Sequence, residues 1–284
     1  MKESIFFGVF ILFSLSIAGQ DNLNFEPGSS SSFEAEPCMQ KTPCFEPGER
    51  LTYVVYYNWG WIWVSAGEVT FTVNEIDTGY HLHSFGSSYP SYEWFFKINN
   101  RYESFIDPET YLPYRSIRDI NEGSYSKYEE VVYDRSGQQA LTQRGKNKGA
   151  PRDTTYSDIE PCVHDLLSII YYARSSPWRS DFPSGYEIPV DLFFGKREYN
   201  LALTYKERIP KQKIKKLGNF DVLRFSPELI KGELFEEGDE ANIYVTNDDN
   251  KLPVLIESPL SVGKVKVVLK EYEGLKYPLN AWIK

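Results

Sequence analysis

His164, Asp165 and Ser168 are residue types that can form a nucleophilic triad, and they stand together in the segment CVHDLLSIIYYARSS. A serine nucleophile needs a sharply exposed position and an oxyanion hole, and this segment has neither a GxSxG elbow nor a glycine cluster. Asp165 suits the start of a helix, where a carboxylate accepts backbone N–H bonds and complements the helix dipole. The pattern therefore indicates structural roles, and the chain is not predicted to be an enzyme.

Two histidines separated by one residue are the first candidates for metal ligands. His81 and His83 project from the same face of a predicted strand, because alternate residues of a strand share a face. No third ligand follows at a recognisable spacing. A standard zinc pattern is equally absent from the other candidate set, Cys38, Cys44, Cys162 and His164. We expect a polar strand face at the histidines, with no metal and no cofactor.

Three tryptophans alternate in the run NWGWIWVSAG, at Trp59, Trp61 and Trp63. In an extended chain they share one face, which would form either a platform for sugars and acyl chains or part of the core. Core packing is the simpler interpretation, and Gly60 interrupts the run. If the protein binds a ligand, these side chains would supply apolar contact, and Arg174 would meet a charge on the ligand's head group.

A basic segment, KERIPKQKIKK, places Lys211, Lys213 and Lys215 on one face of a predicted strand. Lysines at a solvated sheet edge oppose aggregation, which explains the pattern adequately. The alternative is a surface for an anionic ligand, such as the phosphates of lipopolysaccharide. The sequence leaves both interpretations open.

The N-terminal residues predict export. Lys2 precedes an apolar run, IFFGVFILFSLSI, and small residues then lead into a polar segment. This run is too short to span a bilayer, so residues 1–19 are predicted to be a cleaved signal peptide with no transmembrane anchor. The mature protein is expected in the periplasm or outside the cell.

An exported protein with three cysteines is expected to contain one disulfide and one thiol. Pairing Cys38 with Cys44 closes a small local loop, and this pairing is slightly favoured. The rival pairs Cys44 with Cys162, which would tie the first strand to the predicted helix. Spacing alone does not decide between them.

The elements that must position these residues are mostly strands. Asp and Glu exceed Lys and Arg by 40 to 31, and this net charge of −9 argues against a nucleic-acid partner. Residues 20–44 predict a flexible leader rich in Ser, Pro and Glu, and residues 45–284 a single β-rich domain. An amphipathic helix is expected over Cys162–Ser176 and a loop over 145–158. The predicted fold is a long, curved antiparallel sheet of about a dozen strands, an open or partly closed barrel with one central helix.

Four stretches of the chain carry a resemblance to a known family: FEPGERLTYVVYYNWGWIWVSAGEV, RYESFIDPETYLPYRSIRDINEGSYSKYEEVVYD, CVHDLLSIIYYAR and YVTNDDNKLPVLIESPLSVGKVKVVL. In this order they resemble an uncharacterised bacterial family of exported proteins, domain of unknown function 3108, in its Bacteroidetes type. The resemblance implies a curled sheet similar to YmcC-like proteins and to the lipoprotein carriers LolA and LolB. It implies no activity. The matching positions suit turn, cap and packing roles, and they are Gly48, Glu49, Tyr53, Gly67, Asp107, Pro113, Asp165, Ser168, Tyr171 and Arg174.

Together these observations favour a non-enzymatic envelope protein that binds a lipid, glycolipid or polysaccharide intermediate in the concavity of its sheet. The alternative is a scaffold with a closed core, whose partners would be other envelope proteins. A hydrolase would need two carboxylates that converge in a cleft, and no spacing singles out such a pair.

Overall fold

The computed structural model describes residues 38, 42–59, 61–93, 97–229, 239–260 and 263–283. The predicted signal peptide and residues 20–37 of the predicted leader lie outside the described residues. The strands are β1 (Arg50–Trp59), β2 (Ile62–Ile76), β3 (Gly79–Ser88), β4 (Asn99–Ile106), β5 (Pro113–Glu122), β6 (Tyr125–Asp134), β7 (Gln139–Gly145), β8 (Asp153–Asp158), β9 (Glu187–Phe194), β10 (Arg197–Ile214), β11 (Gly218–Pro227), β12 (Asn242–Thr246), β13 (Pro253–Pro259), β14 (Lys264–Glu273) and β15 (Trp282–Ile283). The helix α1 is Ser168–Ser175.

The strands form one antiparallel sheet made of two meanders. Within β1–β8 and within β9–β14, each strand pairs with its neighbours along the chain, as short connections favour. β1 pairs with β14 and joins the two meanders, while β15 pairs with the start of β11. The predicted fold class, a long curved antiparallel sheet with one helix, is confirmed.

The two edges of the sheet approach each other, which gives the molecule an open, barrel-like shape. Ser157 of β8 donates its hydroxyl to Lys196 O at 3.3 Å, beside β9. Further along, His164 N donates to Asp191 O at 2.8 Å, and Phe193 N donates to His164 O at 2.8 Å. The segment between β8 and α1 therefore bridges the edges, although β8 and β9 themselves do not pair.

The core lies on the concave side of the sheet because inward and outward residues alternate along each strand. On β1 the buried inward side chains are Leu51, Tyr53, Val55 and Tyr57. The partners of Tyr53, Val55 and Tyr57 on β14 are Leu269, Val267 and Val265, which are also buried. At Gly67 a β-carbon would collide with the carbonyl oxygen of Ser87 on β3, so the close approach of these two strands requires glycine.

The helix is shorter than the predicted Cys162–Ser176. It begins at Ser168 because the preceding residues have other hydrogen-bond partners: His164 bonds to β9 as described above, and Asp165 Oδ1 accepts the Leu167 and Ser168 N–H groups at 2.7 and 3.0 Å. A carboxylate that bonds the N–H groups two and three residues ahead forms a turn that competes with helix geometry. The predicted role of Asp165 as an N–H acceptor at the helix start is confirmed.

One other predicted boundary is wrong. The expected loop 145–158 contains the edge strand β8, whose Thr154-Thr155-Tyr156 sequence suits an extended backbone.

Most of the basic segment around Pro210 belongs to one long strand, β10. Its pairing with β11 shifts register between Ile209 and Gln212, and such an irregularity accommodates a residue that has no N–H to donate.

A buried ion pair fastens the helix to the sheet. Arg174 near the end of α1 donates from Nη1 and Nη2 to the two carboxylate oxygens of Glu49, at 2.6 and 2.8 Å, and Nη2 also lies 3.2 Å from Asn250 O. Both charged side chains are almost completely buried. The bidentate geometry fixes α1 against both the start of β1 and the loop after β12.

A second ion network fills the concavity near β5–β7. Glu129 of β6 contacts Arg118 at 3.0 Å and Lys127 at 3.7 Å, and also contacts Arg144. Burial alone would raise the pKa of Glu129, but the three cations lower it to about 2. Arg118 also lies over the ring of Phe194, 4.2 Å from its centroid. The protein's own side chains therefore fill the concavity in this half of the sheet.

Glu49→Gln preserves the shape of the Glu49 side chain and removes its charge. Arg174 would then stay buried without a counter-charge, so we expect the free energy of unfolding to fall by about 3–5 kcal/mol in urea denaturation. Arg179→Gln is the matched control because it breaks an exposed ion pair with Asp181, and its unfolding midpoint should equal that of the wild type. Equal midpoints for Glu49→Gln and wild type would contradict the anchoring role of the pair.

Candidate functional site

An apolar cavity of about 180 Å³ lies between α1 and the half of the sheet formed by β9–β13. The helix side contributes Leu166, Ile169, Ile170 and Ala173. The sheet side includes Leu192, Leu203, Phe225, Ile243, Val245 and Ile256. Of the described residues that line the cavity, Arg174 and Glu228 are the charged ones.

The cavity exists because the helix does not fill the concavity that it covers. Trp178, just after α1, donates its indole N–H to Ala173 O at 2.5 Å and packs on Phe225 with ring centroids 4.2 Å apart. These contacts fix one end of the helix at the sheet, while the ion pair of Arg174 fixes it to β1. Both attachments lie at the C-terminal end of α1, and a gap remains between part of its apolar face and β9–β13.

At the side lined by Ala202 and Glu228, which we call the mouth of the cavity, the charged side chains of the described residues are mostly acidic. Glu228 is exposed, and its Oε2 accepts the Ala202 N–H at 3.2 Å. Ala202 and Glu228 also border an adjoining space of about 370 Å³ whose lining is partly polar and partly apolar. Among the described residues, the other charged side chains that border this space are Glu187, Lys206, Asp239 and Glu240. Lys206 Nζ lies 2.9 Å from Glu240 Oε1, so the one cation among them already has a partner.

The structure does not support a head-group role for Arg174. Its side chain reaches the cavity wall, but both of its terminal nitrogens bond to Glu49. The Glu49 carboxylate neutralises the charge of the guanidinium. The charge of Arg174, which the sequence analysis expects to meet a ligand's head group, therefore stabilises the fold.

Two of the three tryptophans expected to contact a ligand lie outside the cavity. Trp61 and Trp63 are 90 % and 40 % exposed at the β1–β2 hairpin, and neither lines the cavity. The core-packing interpretation is therefore wrong for both. Trp59 is the last residue of β1, and its side chain lies outside the described part of the chain.

His164, Asp165 and Ser168 form a buried structural cluster. His164 Nδ1 lies 3.2 Å from Ser168 Oγ, and Ser104 Oγ donates to Asp165 Oδ2 at 2.5 Å. Burial raises the pKa of Asp165 above its usual value, against the lowering effect of its hydrogen bonds. Since the three side chains are buried and hold the turn before α1, their arrangement fits the structural role that the sequence indicates.

The paired histidines lie on a half-buried strand face, as expected. His81 Nε2 is 2.9 Å from Glu103 Oε2, and its ring stacks on Phe105 with centroids 4.6 Å apart. Burial lowers the pKa of His83, which favours its neutral form at pH 7. The described residues contain no group of three or more His, Cys, Asp and Glu side chains placed to hold a metal ion.

Comparison with known proteins identifies the family. The family model described as "Protein of unknown function (DUF3108)" matches residues 52–270. The chain belongs to this family. Solved structures similar to this DUF3108 chain include a β-barrel-like DUF1849 protein from Brucella abortus, with 9 % identity, a TM-score of 0.51, and coverage of 81 % of this chain and 98 % of that one. No curated protein matches the chain.

A second solved structure is a candidate exported protein with a YmcC-like fold from Bacteroides fragilis. It has 9 % identity and a TM-score of 0.31, and the match covers 82 % of this chain and 98 % of that one. The match of the family model to residues 52–270 confirms the resemblance to the DUF3108 family that the four sequence stretches carry, and the DUF1849 structure supports the barrel-like fold. None of the described helices of this DUF3108 chain is long and apolar enough to cross a membrane.

The sequence alone does not identify the residues that form the sheet side of the cavity in this DUF3108 chain. The alternation in NLALTY and NIYVT predicts strands and buried faces, but it does not tell which strands face the helix. Leu203 and Ile243 line the same cavity as Ile170 only because the second meander runs back from β9 to β14. The only feature of the local sequence that points to this lining is an apolar strand that follows the helix along the chain.

The cysteine pairing differs from both sequence-based alternatives. Cys38 is bonded to Cys162, with Cα atoms 5.1 Å apart, and Cys44 is a buried free thiol. Cys44 instead packs beside the helix, where its N–H bonds to Ser175 Oγ at 3.3 Å. Burial raises the pKa of the Cys44 thiol, which lowers its reactivity. Both predicted pairings, Cys38 with Cys44 and Cys44 with Cys162, are wrong in this structure.

Tryptic mapping without reduction tests this disulfide, because cleavage after Lys41 separates Cys38 from Cys44. We expect a linked peptide pair that contains Cys38 and Cys162. Iodoacetamide should leave Cys44 unlabelled in the native protein and label it in urea, since only unfolding exposes the thiol. A peptide linked through Cys44, or rapid native labelling of Cys44, would contradict the assignment.

Proposed function

We propose that this protein works outside the cytoplasm as a non-enzymatic carrier or receptor of a lipid or glycolipid, and that it holds the ligand's apolar chain between α1 and β9–β13. The observation that carries the proposal is the apolar lining of this cavity on both the helix side and the sheet side. Ligand sites are typically concave and mostly apolar, with a few polar groups at one end. The disulfide and the predicted signal peptide support a location outside the cytoplasm.

The size of the cavity agrees with an apolar chain. A dry apolar cavity of about 150 Å³ holds a benzene-sized molecule. At about 180 Å³, the cavity under α1 accommodates a segment of an acyl chain, and its open mouth lets the rest of the ligand extend outwards. Polysaccharide is less suitable because the lining offers few hydrogen-bond partners.

The charges at the mouth favour an uncharged or hydroxylated head group. Glu187, Glu228 and Asp239 border the mouth, and Lys206 is paired with Glu240. An anionic phosphate placed there would be repelled, since like charges at short range cost free energy. Carboxylates accept hydrogen bonds from sugar hydroxyls, so a glycolipid suits both the cavity and its mouth.

Native mass spectrometry and organic extraction provide the first test. Protein exported to a bacterial periplasm and purified without detergent is expected to carry one lipid or glycolipid per chain. If protein from this preparation and protein from the native host are both free of lipid, the carrier function is refuted and the scaffold alternative is favoured.

Ala202→Trp should block the cavity because Ala202 lies where the apolar cavity meets the adjoining space at its mouth. The expected result is a loss of at least about tenfold in affinity for a fluorescent fatty-acid analogue, measured by titration, from the clash of an indole with the ligand. Ala150→Trp, in the loop after β7, is the matched control and should bind like the wild type. Equal binding by both variants would place the ligand elsewhere.

A further inference from the structure

The β1–β2 hairpin ends in three exposed apolar side chains. Trp61, Ile62 and Trp63 are 90 %, 56 % and 40 % exposed. Large apolar side chains that cluster at one exposed site mark an interaction surface, whereas single ones are ordinary. None of the three lines the cavity, so ligand binding there does not explain their exposure.

Lysines surround this apolar tip. Lys266 of β14 lies over the Trp63 ring, with Nζ 4.8 Å from the centroid, and Lys264 pairs in register with Asn58 of β1. The turn after β10 adds Lys215, whose Nζ is 5.0 Å from the ring centroid of Tyr56. This contact brings the basic segment identified in the sequence to the side of the hairpin.

The positive charge of this cluster is only partly compensated. Lys266 pairs with Glu257 at 2.7 Å. No carboxylate of the described residues lies within 4.0 Å of the ammonium groups of Lys215 and Lys264. In a chain of net charge −9, a local excess of cations beside exposed tryptophans sets this surface apart from the rest of the molecule.

We propose that the β1–β2 tip docks on the surface of an anionic lipid bilayer. Trp61, Ile62 and Trp63 enter the interfacial layer, where tryptophan is favoured. Lys215 and Lys264 contact lipid phosphates, while Lys266 keeps its ammonium group at the level of the head groups. The binding is peripheral and reversible, because a few apolar side chains and basic residues give only modest membrane affinity.

The shape and charge of the tip favour a bilayer over a protein groove. The apolar residues lie at the end of a two-stranded hairpin, a convex element that can enter a soft, flat surface without a complementary pocket. Lys264 and Lys266 lie on the neighbouring strand β14 and Lys215 in the turn after β10, beside the tip, where head-group phosphates would meet a shallowly inserted tip. This surface also differs from the mouth of the cavity, where the described charged residues are mostly acidic.

Co-sedimentation with vesicles tests the proposal on the full mature chain. We expect binding to phosphatidylcholine vesicles that contain phosphatidylglycerol, weaker binding to phosphatidylcholine alone, and a decrease at high salt. The double variant Trp61→Ser/Trp63→Ser should lose at least about tenfold in partitioning, since it removes most of the inserted apolar area. Lys215→Gln/Lys264→Gln should lose about fivefold or more on anionic vesicles and little on neutral ones.

Two matched controls separate the tip from general surface effects. Tyr156→Ser removes an aromatic side chain that is 68 % exposed on the distant edge strand β8, and Lys146→Gln/Lys148→Gln removes two charges from the loop after β7. Both should partition like the wild type. The proposal is overturned if wild-type protein does not bind anionic vesicles, or if the tip variants and the controls bind equally.

Discussion

The buried pair between Glu49 and Arg174 is the interaction on which the arrangement of this protein depends. Removing two charges from water is costly, and only good geometry and further hydrogen bonds offset that cost. Here both terminal guanidinium nitrogens bond to the carboxylate, and Asn250 O adds a third acceptor. The pair therefore specifies one position of the helix over the sheet, which apolar contacts alone would leave less defined.

That position divides the concavity into two unlike parts. Around β5–β7 the space is filled by the ion network of Glu129 with Arg118 and by aromatic rings. Under α1 and against β9–β13 the side chains are apolar and leave a cavity. The first meander of the curled sheet thus has a filled, rigid concavity, and the second contains a space of ligand size. The helix packs beside both parts.

The two surfaces proposed for lipid contact have complementary characters. The cavity is apolar inside and acidic at its mouth, which suits an uncharged head group. The hairpin tip has exposed tryptophans with lysines behind them, which suits an anionic membrane. A protein with both could collect or deliver a neutral lipid at a charged bilayer surface while its own net charge of −9 keeps the rest of the molecule away.

The sequence by itself determined the local elements, because alternation along β1 and the helical spacing before Arg174 depend only on neighbouring residues. It also indicated the structural role of Asp165 and the family. Only the tertiary structure decided that Arg174 faces Glu49, that Cys38 rather than Cys44 bonds to Cys162, and that Trp61 faces solvent. These outcomes depend on contacts between residues far apart in the chain, and local periodicity contains no information on which distant strand or loop supplies the partner.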